Sequence, residues 1–223
     1  MIRKAKNIVF LFLITLFYQC APTRFIEPLD KGELAVGFNF GGPLINFADL
    51  TIPIPFTSLY GGYGYSEDLT LYGGFHLTSA AYKTAQFDLG AAYRLTKQKS
   101  FIPGLGSNIA LNTITALPSG TSRFFPEVDL HLQWHYTQHW QTYIGSSAWV
   151  DLYKSKRQSQ TTYHPLVFNY YLGQVYTFSK KWSASLEYKL LDPRIPNNRS
   201  VVDYVHWSNT GAQGIYLSVQ YKL

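Results

Sequence analysis

The chain holds a single cysteine, Cys20, among 223 residues. No intrachain disulfide is therefore available to staple the fold. Methionine occurs once, as the initiator, and charged side chains make up 14% of the sequence, against about 25% in ordinary soluble domains. That poverty excludes a coiled coil, a disordered tail and a helix-rich cytosolic enzyme, which draw on Lys, Glu, Ala and Met. A long apolar run is missing too. The stretch from Ile8 to Tyr18 falls well short of the about 20 residues that a membrane helix needs. The mean hydropathy of −0.09 is far from that of a multi-helix membrane protein. Excess charge is also slight. Three of the basic residues, Arg3, Lys4 and Lys6, stand in a leader-like start; without residues 1–19 the count is 16 basic against 13 acidic. Nothing in that balance requires nucleic acid as a partner.

What the chain has is aromatic and small: 18 Tyr, 15 Phe, 5 Trp and 17 Gly. From Gly32 onward these fall into period-2 alternation, the mark of half-buried strands. Leu34, Val36, Phe38 and Phe40 face one way. Val128, Leu130, Leu132, Trp134 and Tyr136 alternate with Glu127, Asp129, His131, Gln133 and His135. Ile215, Leu217, Val219, Tyr221 and Leu223 alternate with Tyr216, Ser218, Gln220 and Lys222. Similar runs lie at about 56–65, 69–79, 83–95, 101–115, 140–153, 164–178 and 182–191. The pattern predicts ten strands, with eight or twelve as alternatives because 41–55 has room for a hairpin. Each run suits a tilted membrane strand of about 9–11 residues better than a soluble strand of about 5–6.

The connections alternate in size. Short ones are Ser66-Glu67-Asp68, Thr96–Ser100, Thr137-Gln138-His139 and Ser179-Lys180-Lys181; longer ones fall at 41–55, 116–123, 154–163 and 192–212. Short periplasmic turns and long outer loops are the habit of outer-membrane barrels. An even strand count puts both chain ends on the periplasmic side. Tyr65, Tyr93, Trp134, Tyr136, Trp140, Tyr176, Trp182 and Tyr221 all lie beside the short turns or the C-terminus, where an interfacial aromatic girdle belongs. In hydrocarbon every backbone N–H and C=O needs a partner inside the protein, so such a sheet must close. Prolines 43, 53, 55, 118, 126, 165, 193 and 196 are expected in loops or at strand starts, where a missing donor is tolerated.

On these features the chain resembles the small bacterial outer-membrane β-barrel proteins over residues 32–223. The fold expected is an all-β, antiparallel, up-and-down transmembrane barrel. Residues 1–19, with their basic start and apolar core, read as a secretory signal peptide. Because the apolar run stops at Gln19-Cys20, the segment resembles a lipoprotein signal. That resemblance implies acylation of Cys20, residues 20–31 as a lipidated tether reaching the barrel rim, and a location in the outer membrane.

The inward faces are polar. Asp88, Arg94, Glu127, Asp129, His131, His135, Asp151, Glu187 and Lys189 are expected to form a luminal network of paired charges. A ten-stranded barrel is narrow enough for side chains to fill much of it. Residues two apart on a strand lie about 6.6–7 Å apart, so the acids and histidines of one strand do not make a metal site, and no cofactor is expected. Three functions compete: a non-enzymatic structural, surface or partner-binding component, a narrow pore for small solutes, and a hydrolase at the rim. The last would use Asp203, His206 and Ser208 of the longest loop, or His164. The partners expected are membrane lipid, lipopolysaccharide met by Lys154-Ser155-Lys156-Arg157, or another outer-membrane protein. The loops 41–55 and 192–212 flank the strands that must meet to close the barrel, and both are apolar, so they are expected to pack together.

Overall fold

The computed structural model describes residues 22–153, 165–196 and 202–223. The signal peptide, Cys20, the basic run at 154–157 and His164 lie outside the described residues. Eleven strands follow in order: Leu34–Phe47 (β1), Leu50–Pro53 (β2), Thr57–Ser66 (β3), Leu69–His76 (β4), Thr84–Thr96 (β5), Gly104–Ala116 (β6), Ser122–His135 (β7), Trp140–Val150 (β8), Leu166–Thr177 (β9), Trp182–Pro196 (β10) and Thr210–Lys222 (β11). From β3 to β11 each strand pairs antiparallel with the next, β1 pairs with β3, and β11 returns to β1. The closing seam runs from Ala35↔Lys222 to Pro43↔Gly214. The result is a closed antiparallel barrel of ten strands, with β2 laid only on the far end of β1.

The alternation explains the closure. Leu34, Val36, Phe38, Leu59, Leu89, Ile109, Leu130, Leu172, Leu186 and Leu217 are exposed on the outer surface, while Asn39, Thr70, Asp88, Asn108, Gln133, Asn169, Glu187 and Ser218 are buried. A wall that is oily outside and polar inside inverts a soluble core, and it fits a bilayer. The aromatic residues at the short-turn rim touch one another. Trp140 and Tyr176 lie 4.7 Å apart between ring centroids, Tyr176 and Phe178 4.9 Å, and Trp182 and Tyr221 4.7 Å.

The long-loop rim departs from expectation in several places. β1 continues to Phe47 and turns back as a hairpin, with Ala48 and Asp49 at φ +49° and +63°. A two-residue turn of this kind favours Asn-Gly; the hairpin for which 41–55 had room forms without it. Residues 77–82 form a short 3-10 turn instead of extending β4. β10 and β11 run into the expected loop 192–212. Pro43, Pro126 and Pro193 stand inside strands, and Pro53 and Pro196 end β2 and β10. β8 begins to pair with β7 only at Glu127, so Pro126 sits where its missing N–H deprives no neighbour on that side.

The two flanking loops do pack together. Val205 donates its N–H to Leu44 O at 2.8 Å and Asn46 to Asp203 O at 3.0 Å. Ile54, Phe56, Val202 and Tyr204 form a buried cluster beside Ile45, Tyr82 and Ala212.

Candidate functional site

The chain before β1, expected as a lipidated tether reaching the barrel rim, runs into the barrel lumen over residues 22–31. The reversal is made at Gly32, whose φ of +83° suits glycine; its N–H donates to Gly64 O at 2.7 Å. From this root the segment climbs away from the short-turn rim as residue numbers fall. Leu29 N–H donates to Thr70 Oγ1 at 2.7 Å. Glu27 accepts from Gln133 Nε2 at 2.9 Å and lies 3.0 Å from His135 Nε2. Ile26 O faces His131 Nε2 at 2.7 Å. Phe25 packs between Tyr60 and Tyr72, with centroids 5.5 and 5.8 Å away. Thr23 N–H meets both Glu187 oxygens at 3.3 Å.

Arg24 makes the densest contacts. Its Nη2 donates to Asp88 Oδ2 at 2.6 Å, its Nε to Asp88 Oδ1 at 3.4 Å and its Nη1 to Ser58 Oγ at 2.8 Å. The guanidinium carbon stands 5.2 Å from the centre of the Tyr60 ring. His76 Nε2 lies 2.9 Å from Asp88 Oδ2 and 3.2 Å from Arg24 Nη2. Arg24, His76 and Asp88 are all buried.

The wall makes room for this segment in two ways. Inward tyrosines lie across glycines of the neighbouring strand, at Gly37↔Tyr60, Tyr72↔Gly90, Tyr143↔Gly173 and Gly145↔Tyr171. The rings are held flat to the wall because a Cβ on each glycine would collide with them. Gly62, Gly64 and Gly74 form the track of the segment itself. A Cβ there would strike Phe25, the Asp30 backbone, and the Arg24–Asp88 pair respectively. Replacing Gly62 with Val is therefore expected to expel the segment without opening the wall. Trypsin would then cut the folded variant after Arg24, a bond it leaves intact in the parent barrel.

The expected luminal residues divide into three groups. Asp88, Asp129, His131, Glu187 and Lys189 are buried within the barrel, and Glu127 lines it. Asp129 Oδ1 lies 2.9 Å from His131 Nδ1, and its Oδ2 accepts from the Tyr171 hydroxyl. Glu127 accepts from Asn112 at 3.1 Å, and Glu187 pairs with Lys189 at 3.2 Å and accepts from Tyr143 at 3.0 Å. Arg94 and His135 belong to the short-turn rim, where Arg94 pairs with Asp68 at 3.3 Å and His135 with Glu27. Burial raises the Glu27 carboxyl, but the hydrogen bond and charge of His135, with Arg94 and His131 beyond, bring it below the usual carboxylate range. Asp151 lies just past the end of β8, where its N–H donates to Pro165 O at 2.7 Å and its Oδ1 accepts from Tyr153 N–H at 2.9 Å.

Reasoning from sequence missed Arg24, Phe25 and Glu27, because a segment of this length carries no period. Its composition was the available signal: charge and apolar bulk side by side are unlike a flexible linker. The rim triad is not assembled. Asp203 Oδ2 accepts from Asn46 at 3.2 Å, and His206 Nδ1 accepts from Asn209 N–H at 3.1 Å. Among the described residues no hydrogen bond links Asp203, His206 and Ser208.

Above the segment, a cavity of about 40 Å³ is lined by Arg24, Asp88, Asn108, Glu127, Trp149 and Lys189, among others. Asn108 is 5% exposed, and its Oδ1 has no hydrogen-bond partner.

Closed ladder, lipid-facing surface and polar lumen together define a small outer-membrane β-barrel. No family model and no characterised protein sequence matches the chain. Solved structures of similar shape include outer-membrane barrels. A channel from Pseudomonas putida F1 is 13% identical, aligned over 92% of this chain and 100% of that one, with a TM-score of 0.48. The NanC porin is 12% identical over 86% and 100%, with a TM-score of 0.45. The KdgM porin is 11% identical over 86% and 99%, with a TM-score of 0.40. These are likenesses of fold alone.

Proposed function

We propose that the protein is a narrow outer-membrane channel for small solutes, closed by its own N-terminal segment. The observation that carries this reading is the seating of residues 22–31 in the lumen. A barrel meant only to be solid fills itself with wall side chains. Here the wall tyrosines are laid flat over glycines, and the vacated space is taken by a separate stretch of chain joined at one pivot. Around mid-lumen the wall offers Asp88, Glu127, Asp129 and Glu187 against Lys189. Four carboxylates and one ammonium favour cations in an opened lumen.

Planar-bilayer recording tests the proposal. The chain lacking residues 22–31 is expected to give stepwise currents, with a reversal potential under a salt gradient of the sign for cation preference. The intact chain is expected to stay closed. A folded deletion variant without current would sink the channel reading. It would leave the second reading, a surface component, which is favoured by Phe47 and Leu50 displayed at the tip of the β1–β2 hairpin.

Acylation of Cys20 is the rival of this closed state. Two residues span at most about 7 Å, and Pro22 lines the polar cavity. Acyl chains at Cys20 and a seated segment therefore exclude each other, so an acylated chain would hold the lumen open. Labelled palmitate is therefore expected to stay out of a parent protein whose lumen is closed; its entry, lost in the Cys20→Ala variant, would mean an open lumen.

A further inference from the structure

The contacts of Arg24 describe a receptor as well as a latch. A carboxylate takes two N–H groups of one guanidinium, a hydroxyl takes a third, and an aromatic face closes one side. That is the full set of interactions by which proteins select guanidinium over ammonium: a planar fork matched to a carboxylate, and stacking on a ring. The receptor groups come from four strands: Ser58 and Tyr60 on β3, His76 on β4, Asp88 on β5, with Asn39 of β1 donating to Ser58 Oγ at 3.3 Å. All five are buried. They are wall residues and remain in place when the segment leaves, whereas Arg24 leaves with it.

The neighbouring cavity adds a second, independent sign of a ligand. It touches Asp88 and Arg24 directly and presents the unpartnered Asn108 Oδ1, an acceptor waiting for an N–H or O–H donor. Glu127 and Asp129 line the same space. Both Asp88 oxygens already accept N–H groups of Arg24. A solute reaching Asp88 must displace it.

We propose that the lumen wall is a guanidinium-binding site occupied in cis by Arg24, and that the solutes this channel admits are small guanidinium-bearing cations that compete with Arg24 for Asp88. The proposal rests on the channel reading for its transport half and on the wall geometry alone for its binding half. The segment is then a tethered mimic of the solute. Entry of the solute and withdrawal of the segment are one exchange at one carboxylate, in which no bond is made or broken.

The test separates the two halves. Calorimetry in detergent with methylguanidinium chloride reads binding without any current. Arg24→Ala, which empties the site, is expected to bind it with a dissociation constant on the order of 1 mM. The parent chain, with the site filled, should bind at least roughly tenfold more weakly. Arg24→Ala combined with Asp88→Asn should show no heat of binding. Methylammonium chloride at equal ionic strength should bind Arg24→Ala more weakly, because a point charge cannot make the paired contact. The chain lacking residues 22–31 serves as a second emptied site should Arg24→Ala fold poorly. An emptied, folded barrel that binds no methylguanidinium, or binds it equally with Asp88→Asn, overturns the proposal. In bilayers, methylguanidinium should block the current of the emptied variants from either side. Binding without current in any variant would retain the receptor and remove the channel.

Discussion

Replacing Lys189 by Met is expected to destabilise the barrel by about 3–5 kcal/mol, the loss typical of stranding a buried charge by removing its partner. Lys189 is 2% exposed and Glu187 fully buried beside it. The ammonium lies 3.2 Å from Glu187 Oε1 and also stands over the rings of Tyr171 and Tyr216, at 5.3 and 5.7 Å. Glu127, Asp129 and Glu187 surround the same stretch of lumen. Methionine matches the stem of lysine in length and removes only the charge, so shape is not the cause of the loss. Urea unfolding in lipid vesicles, followed by tryptophan fluorescence, measures it. Changing Glu187 to Gln in the same chain should restore part of the stability, because the stranded carboxylate goes with it. A single variant as stable as the parent would show that water reaches this pair and that the lumen is wetter than its burial implies.

Leu89→Arg acts on the opposite face. Leu89 is 68% exposed near the middle of β5, paired with Leu111 on one side and Gly73 on the other. In water an exposed leucine is replaced by arginine at almost no cost. At the midplane of a bilayer the same change costs about 2–4 kcal/mol on the lipid face of a barrel. The expected result is a loss of that size in vesicles, with a smaller loss at Leu95, nearer the rim of the same strand. Equal, negligible effects at both positions would mean that this surface does not face hydrocarbon.

The two variants mark what the sequence made legible. Outer and inner faces could be assigned residue by residue, since parity is a strict consequence of the pleat. Asp88, Asp129, His131, Glu187 and Lys189 were placed inside by parity alone. The short turns were legible because four of them interrupt the alternation at regular intervals. The far rim was not, because strand ends there are decided by neighbours. β1 reaches Phe47 only since β2 folds back on it, and β10 reaches Pro196 through a register shift against β11. The latch was hidden for a different reason. Arg24 and Asp88 are separated by 64 positions, and nothing periodic connects them. Gly62, Gly64 and Gly74 leave room in the lumen, but what fills that room depends on a chain direction set at Gly32.

Where the lumen segment sits in the chain dictates an order of events during insertion. It immediately precedes β1, and β1 joins β11 to complete the cylinder, so the first-made and last-made strands meet at its root. Either the cylinder zips up around a strap already lying in its trough, or the strap threads through the finished mouth, needing about 35 Å of extended chain for its ten residues. In both routes the wall ladder is complete without the strap. In the channel we propose, the molecule comprises two cooperative pieces of unequal strength, a rigid hoop and a detachable tongue, the tongue coming and going while the hoop keeps its hold on the lipid.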